Sequence, residues 1–514
     1  MQIAFPRNSW LIACGVVSVL GACNRTKSDN ASETGAVAAE EGGRGNVTAE
    51  RGKVPVTSKS EEARQLYDRG LALADQLRFH DARQLFQQAV AKDPDFALAH
   101  HQLALTSPTP KEFRAHLDKA VALSANASEG ERLRILGLQA SANADPEKSL
   151  EYAKEAVKRY PEDERAHTAL GNSYYFGQQD YEKARGELQK AIDIAPGFSP
   201  AYNMLGYSYT FLGEYPEAEK AFKKYIELVP NDPNPYDSYA ELLMKTGRFD
   251  ESIQQYRKAL SIDPHFVGSH FGIASDLMFQ GKHDQALAQI GKLAAAARDD
   301  GERRFAMFAK TLIYQDQGKE DLALKEMEKQ YALGARIGDT AAMANDAESM
   351  GDILLNSGKP DAARQRYQQA LTLVEASGLA PEVKEDAKLA HRYNIGRVAL
   401  KKNDLGTAKS EAEAYLKGAT AKQNDGRVRQ AHYLAGKIAL KEKQFDRAVS
   451  ELEQADQQDP RVLYTMAKAH EAKGDREKAM EMFKQAAESY TLPTLNYVFI
   501  RAEAKKRVAP GSTS

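Results

Sequence analysis

The sequence predicts an all-α superhelical solenoid of about twelve helix–turn–helix units. Three observations carry that expectation. Gly213, Gly247 and Gly281 stand at one fixed spacing of 34 residues, and Pro230 and Pro264 keep the same spacing. Between these markers apolar residues recur at steps of three and four, the period of an amphipathic helix. The chain is 42% hydrophobic and 28% charged, which suits many half-buried helices. One hairpin cannot bury its apolar face alone, so successive hairpins must stack.

Taken in chain order, the first element is an export signal. Arg7 precedes the apolar run from Trp10 to Leu20, which is too short to span a bilayer. Leu20-Gly21-Ala22-Cys23 follows, and it resembles the lipobox of bacterial lipoproteins. The resemblance implies a signal peptide over residues 1–22 and a lipid, palmitate among its acyl chains, on Cys23. Leu11-Ile12-Ala13-Cys14 fits the same pattern, but too few apolar residues precede it. The chain has two cysteines, so cleavage before Cys23 leaves one, which cannot form an internal disulfide. Several acyl chains on one residue hold a protein to a membrane stably, whereas one chain binds marginally. The family's inner-membrane retention signal is an aspartate after the cysteine. Asn24 stands there, so an exported, lipid-anchored protein facing the periplasm is expected, with the outer membrane favoured. Residues 23–60 are rich in Ser, Gly, Ala and Glu and read as a lipid-anchored flexible tether.

The array runs from residue 63. Its clearest unit starts at Ser199. There Leu205, Gly206 and Tyr209 share one face of the first helix, Gly213 turns the chain, Ala218 and Phe222 face back from the second helix, and Pro230 ends it. These residues, at this period, resemble the tetratricopeptide repeat (TPR). Twelve units are expected to start near Ala63, Ala97, Gly130, Glu164, Ser199, Pro233, Val267, Arg304, Ala344, Leu389, Arg429 and Pro460. The family's tryptophan on the first helix is replaced by Leu66, Tyr202, Tyr236 and His270. After residue 300 the period lengthens, which divides the chain into sub-arrays 63–300 and 301–490, the second with longer repeats. Residues 491–507 are expected to form a capping helix over the last unit, with Leu495, Val498 and Phe499 facing in and Lys505, Lys506 and Arg507 in water.

No pattern for chemistry appears. There is no phosphate-binding loop, nucleophile elbow, zinc-helix motif or cysteine pair, and the eleven histidines are scattered. No cofactor, no metal and no enzymatic activity are expected. A net charge of −2 argues against nucleic acid as a partner.

What remains is surface. In stacked hairpins of this family the first helices line the concave side. In the first sub-array that side offers Asn172, Tyr175, Phe176, Asn203, Tyr207, Phe211, Phe271 and Phe279, with Asp237, Glu241, Met244 and Met278 beside them. This set reads as a groove for an extended or helical peptide. In the second sub-array, Tyr393/Arg397, Tyr433/Lys437 and Tyr464/Lys468 recur in three successive units, each pair four apart and so on one helix face, with Lys401 and Lys441 extending the stripe. That strip is expected to take an anionic ligand, an acidic peptide or a C-terminal carboxylate. The functional expectation is a membrane-anchored scaffold or adaptor for protein–protein interaction in the bacterial envelope. The alternatives are a self-assembling solenoid without a foreign client and a cytoplasmic TPR regulator.

Overall fold

The computed structural model describes residues 47–48, 52–143, 145–379, 381–422 and 424–509. The proposed signal peptide and Cys23 lie outside the described residues. Among those described, 25 α-helices form twelve antiparallel pairs and one final helix. The pairs are α1 (Glu61–Asp75) with α2 (Phe79–Lys92), α3 (Ala97–Leu105) with α4 (Pro110–Leu123), α5 (Glu129–Ala142) with α6 (Pro146–Arg159), and α7 (Glu164–Asn172) with α8 (Tyr181–Ile194). There follow α9 (Ser199–Leu212) with α10 (Tyr215–Leu228), α11 (Pro233–Lys245) with α12 (Phe249–Ile262), α13 (Val267–Phe279) with α14 (His283–Ala296), and α15 (Asp300–Asp316) with α16 (Glu320–Arg336). The last four are α17 (Thr340–Asn356) with α18 (Pro360–Ala376), α19 (Pro381–Lys401) with α20 (Leu405–Ala421), α21 (Asp425–Lys441) with α22 (Phe445–Glu453), and α23 (Pro460–Lys473) with α24 (Arg476–Ala487). The final helix is α25 (Leu495–Val508).

Local chemistry sets these boundaries. First helices open on side chains that accept an orphan backbone N–H, among them Ser60, Asp163, Asp232, Asp299, Asp339, Asn424 and Asp459. In most pairs the inner turn is closed by a left-handed residue. Gly213, Gly247 and Gly281 supply it with φ of 79°, 75° and 78°, and Asn403 takes the equivalent place with φ of 64°. Within a pair the helices meet where a small residue faces a large one. A Cβ on Gly206 would lie 2.6 Å from Phe222 Cε1, and one on Gly272 would lie 2.1 Å from Tyr256 Cζ.

Two departures from the regular period have local causes. The interval from Glu164 to Ser199 is one residue longer than the next two, and the surplus is absorbed as a π-turn at Ser173–Gln178, closed by Gln179 at φ 56°. From α15 to α21 every helix is 17–21 residues long, so first helices start four to eight residues before the expected Arg304, Ala344, Leu389 and Arg429.

The tether expectation is corrected at its end. Val47 and Thr48 pair with Thr57 and Val56 in a two-stranded antiparallel ribbon. Val54 N donates to Asp163, Thr57 N to Glu131 and Ser58 Oγ to Asp93, so from residue 52 the chain lies on the array. Glu131 and Asp163 stand at the starts of later helices and bind this segment as well as capping those helices, while Asp93, just before α3, takes Ser58 Oγ and Lys59 N. The array also curves back on itself. Lys111 N in α4 donates to Asp339 Oδ2 at the start of α17, seven units on (3.2 Å). No described helix is long and apolar enough to cross a membrane.

Candidate protein-binding site

The three basic pairs of the second half come from α19, α21 and α23, the first helices of three successive units. Stacking lays these helices side by side, and their inward faces meet on one cavity of about 590 Å³ that opens to solvent. This is within the size range of pockets that hold a ligand. Arg397, Lys401, Tyr433, Lys437, Lys441, Tyr464 and Lys468 all line it. Tyr393 does not. It is buried behind the wall and packs on Tyr415, ring centroids 5.1 Å apart. Tyr433 is also buried, so the tyrosines brace the wall and the cations face the cavity.

The strip reading missed several lining residues. Arg461 adds a sixth cation, one turn before Tyr464 on α23. Its spacing of three and seven residues from Tyr464 and Lys468 marks that same face, so the sequence carried a signal for it. Asp352 reaches in from α17, and Asn496, Phe499 and Ile500 reach in from α25. No sequence signal announces these, because they arrive from distant segments.

Charge in the cavity is unbalanced. Asp352 accepts from Arg397 Nη1 (2.7 Å) and from Tyr367 Oη (2.7 Å). Arg461 is paired with Asp459 (2.6 Å), and Glu471 with Arg507 (2.8 Å). Lys401, Lys437, Lys441 and Lys468 have no carboxylate within 4.0 Å among the described residues. Each of Arg397, Lys437 and Lys468 instead sits over the tyrosine four residues before it, at 5.6, 5.3 and 5.7 Å from the ring centre. Lys437 is half-buried. Desolvation, then the charges of Arg397, Arg461 and Lys401, push its amine down to about 7.

The first-half set is a different case, and the groove expectation there is corrected. Asn203, Tyr207, Phe271 and Phe279 are buried, with Asp237, Met244 and Met278. Tyr175, also buried, stacks edge-on against Phe176, Tyr181 and Phe211. Tyr207 packs on Phe222, and Phe271 on Phe305. Asn172 and Phe176 remain partly accessible on the π-turn and just before it. The physical reason is curvature: the concave faces of α11, α13 and α15 close on each other and on the C-terminal segment. Phe279 is covered by Tyr490 (5.5 Å) and Tyr497 (6.2 Å). The capping expectation is corrected with it. Leu495 and Val498 face in, but α25 also reaches α15, and Lys505 donates to Phe279 O (3.4 Å) instead of lying wholly in water. No group of three or more possible metal-ligating side chains occurs among the described residues.

Family models described as tetratricopeptide repeat match residues 67–128, 136–197 and 393–461, residues 175–242 and 439–492, and residues 233–266. No protein with a curated description matches. Solved structures with similarity include a tetratricopeptide repeat protein from Parabacteroides merdae ATCC 43184, 19% identical over 51% of this chain and 98% of that one, TM-score 0.34. TTC0263, a TPR protein of Thermus thermophilus, is 25% identical over 42% of this chain and 99% of that one, TM-score 0.28. YrrB, a TPR protein whose structure is described as having an unusual peptide-binding site, is 19% identical over 36% of this chain and 93% of that one, TM-score 0.25. With the repeat models covering more than half of its length, this chain belongs to the tetratricopeptide-repeat family.

Proposed function

We propose that this protein is a non-catalytic scaffold or adaptor that holds an acidic segment of a partner protein in the basic cavity between α19, α21 and α23. The observation that carries the reading is four lysines lining one cavity with no carboxylate within 4.0 Å among the described residues. Lys437 is half-buried and Lys401, Lys441 and Lys468 are exposed around it, so the four amines form one positive surface that a carboxylate can neutralise. A carboxylate-bearing ligand gains charge-assisted hydrogen bonds from them, and the apolar side chains of Leu400, Leu440 and Phe499 give it contact area. We further propose that the protein is exported and anchored by lipid on Cys23, so that the array works at a bacterial membrane surface. The lipobox resemblance supports that part.

The test of the cavity is direct. A fluorescein-labelled glutamate-rich peptide with a free C-terminus is titrated with the full chain and with the Lys437→Glu, Lys468→Glu double variant. Binding that falls more than tenfold in the variant at unchanged helicity supports the reading. Equal affinity for both proteins refutes it.

A further inference from the structure

The groove of the first half is filled at α13 and α15, and its filling is part of the same chain; beside it a cavity of about 440 Å³ lined by Tyr207, Phe211 and Glu241 stays open. After α24 ends at Ala487, the chain leaves the array without helix, passes Pro493, and re-forms one as α25. A cap for the last unit needs only α23 and α24. This segment goes further, to the units of α12, α13 and α15. Tyr490 stands edge-on to Phe249 (4.9 Å) and lies over Phe279. Leu492, Leu495, Tyr497 and Val498 join the same buried core.

The inward face of α25 carries one buried charge, Arg501, with the half-buried Lys505 one turn further on. Arg501 is 4% exposed and donates to both oxygens of Asp316 on α15 (2.6 and 2.7 Å) and to Phe279 O (3.0 Å). Asp316 also binds His283 Nε2 (2.8 Å). Arg501 Nε is buried without a partner. A buried ion pair adds little net stability over a well-packed apolar pair, while losing one partner is costly. Such a pair suits a contact that must fix one position and still be broken. A permanent cap has no need of it.

We propose that the groove between α12, α13 and α15 is a docking site for a partner segment of defined chemistry, and that residues 489–508 occupy it in the resting state. The resident defines that chemistry: an aromatic and aliphatic stretch leading into a helix with one buried arginine. The inference rests on the protein-binding reading alone and does not depend on the basic cavity. The two sites are linked, because Asn496, Phe499 and Ile500 of α25 form one wall of that cavity. Displacing the segment removes the wall.

The test uses a labelled peptide of residues 489–509 and the full chain. Intact protein excludes the peptide, since its own segment acts at an effective concentration near millimolar. Arg501→Ala loosens the resident and leaves Asp316 and His283 in the groove. It is expected to bind the peptide at least tenfold tighter than wild type, and to lose that gain when Asp316→Asn is added. Equal binding by Arg501→Ala and wild type overturns the proposal. Growth of Arg501→Ala to dimers in light scattering overturns it in favour of a second copy as occupant. Hydrogen exchange on the unaltered chain decides the matter should that variant misfold. Amides of α25 exchanging together, at least tenfold faster than those of α23 and α24, support displacement. Exchange as slow as theirs marks a permanent cap.

Discussion

Binding in the basic cavity should depend on pH in a way that one lysine controls. With the cavity empty, Lys437 is held down to about 7. Every element around it faces it with known charge: Lys441 and Tyr433 on its own helix, Arg397 and Lys401 on α19, Asp352 on α17, and Arg461, Tyr464, Lys468 and Glu471 on α23. α25 presents only uncharged side chains there. A bound carboxylate favours the charged amine and moves its pKa back toward the ordinary lysine value. Binding then takes up a proton wherever the pH lies between the free and bound values. At pH 6 the amine is already charged and uptake is small. Between pH 7 and 8.5 uptake approaches one proton, so affinity falls as pH rises. The loss from pH 6 to 8.5 is roughly tenfold or more, about 1.4 kcal/mol per decade. The glutamates of the probe stay ionised throughout, so they add no slope. Anisotropy titrations at pH 6, 7, 7.75 and 8.5 measure this, and Lys437→Met should bind more weakly at pH 6 and show a flat profile. A flat wild-type profile, or the same slope in Lys437→Met, refutes the argument.

Further expectations concern the array itself. Gly272→Ala drives a Cβ to within 2.1 Å of the buried Tyr256 ring and should destabilise by about 1–3 kcal/mol in urea unfolding. Gly281→Ala has open space but a φ of 78°, and should lose only about 1 kcal/mol. Asp276 is fully buried with neither oxygen hydrogen-bonded, and burial pushes its carboxyl up to about 8. Because the folded-state value is raised, the stability it allows is complete below about pH 4 and is lost as pH rises through 8. Asp276→Asn should therefore raise the unfolding midpoint at pH 8 and leave it nearly unchanged at pH 4. If Cys23 is the lipid acceptor, radiolabelled palmitate should mark wild type and not Cys23→Ala; label on both removes the anchor from the account.

How much of this was legible beforehand follows from what periodicity encodes. Gly213, Gly247, Gly281 and Pro230 have fixed local duties, so the pairing of helices and the twelve units could be read from spacing. The basic strip was legible for the same reason: Arg397, Lys437 and Lys468 occupy one position in three consecutive units. Arg461 falls outside the pattern of a cation four residues past each tyrosine, although its spacing from Tyr464 and Lys468 marks the same face. Phe271 and Phe279 show the limit. Their period marks an inward face, but not whether that face meets a groove or a distant segment. The answer lies in Tyr490, Tyr497 and Arg501, and Arg501 lies 185 residues beyond Asp316. No local rule connects residues so far apart. The early starts of α15, α17, α19 and α21 were hidden for a simpler reason. Their added first turn precedes the repeated pattern and carries none of its marker residues.

Full-length wild-type chain and the Lys437→Glu, Lys468→Glu variant are used side by side as crosslinked bait on membranes, and the captured proteins are compared. Wild type is expected to capture a partner with an acidic segment that the variant loses, with the crosslink falling on α19, α21 or α23. Capture of the same partners in equal amount by both baits, or a solenoid that crosslinks only to itself, contradicts it.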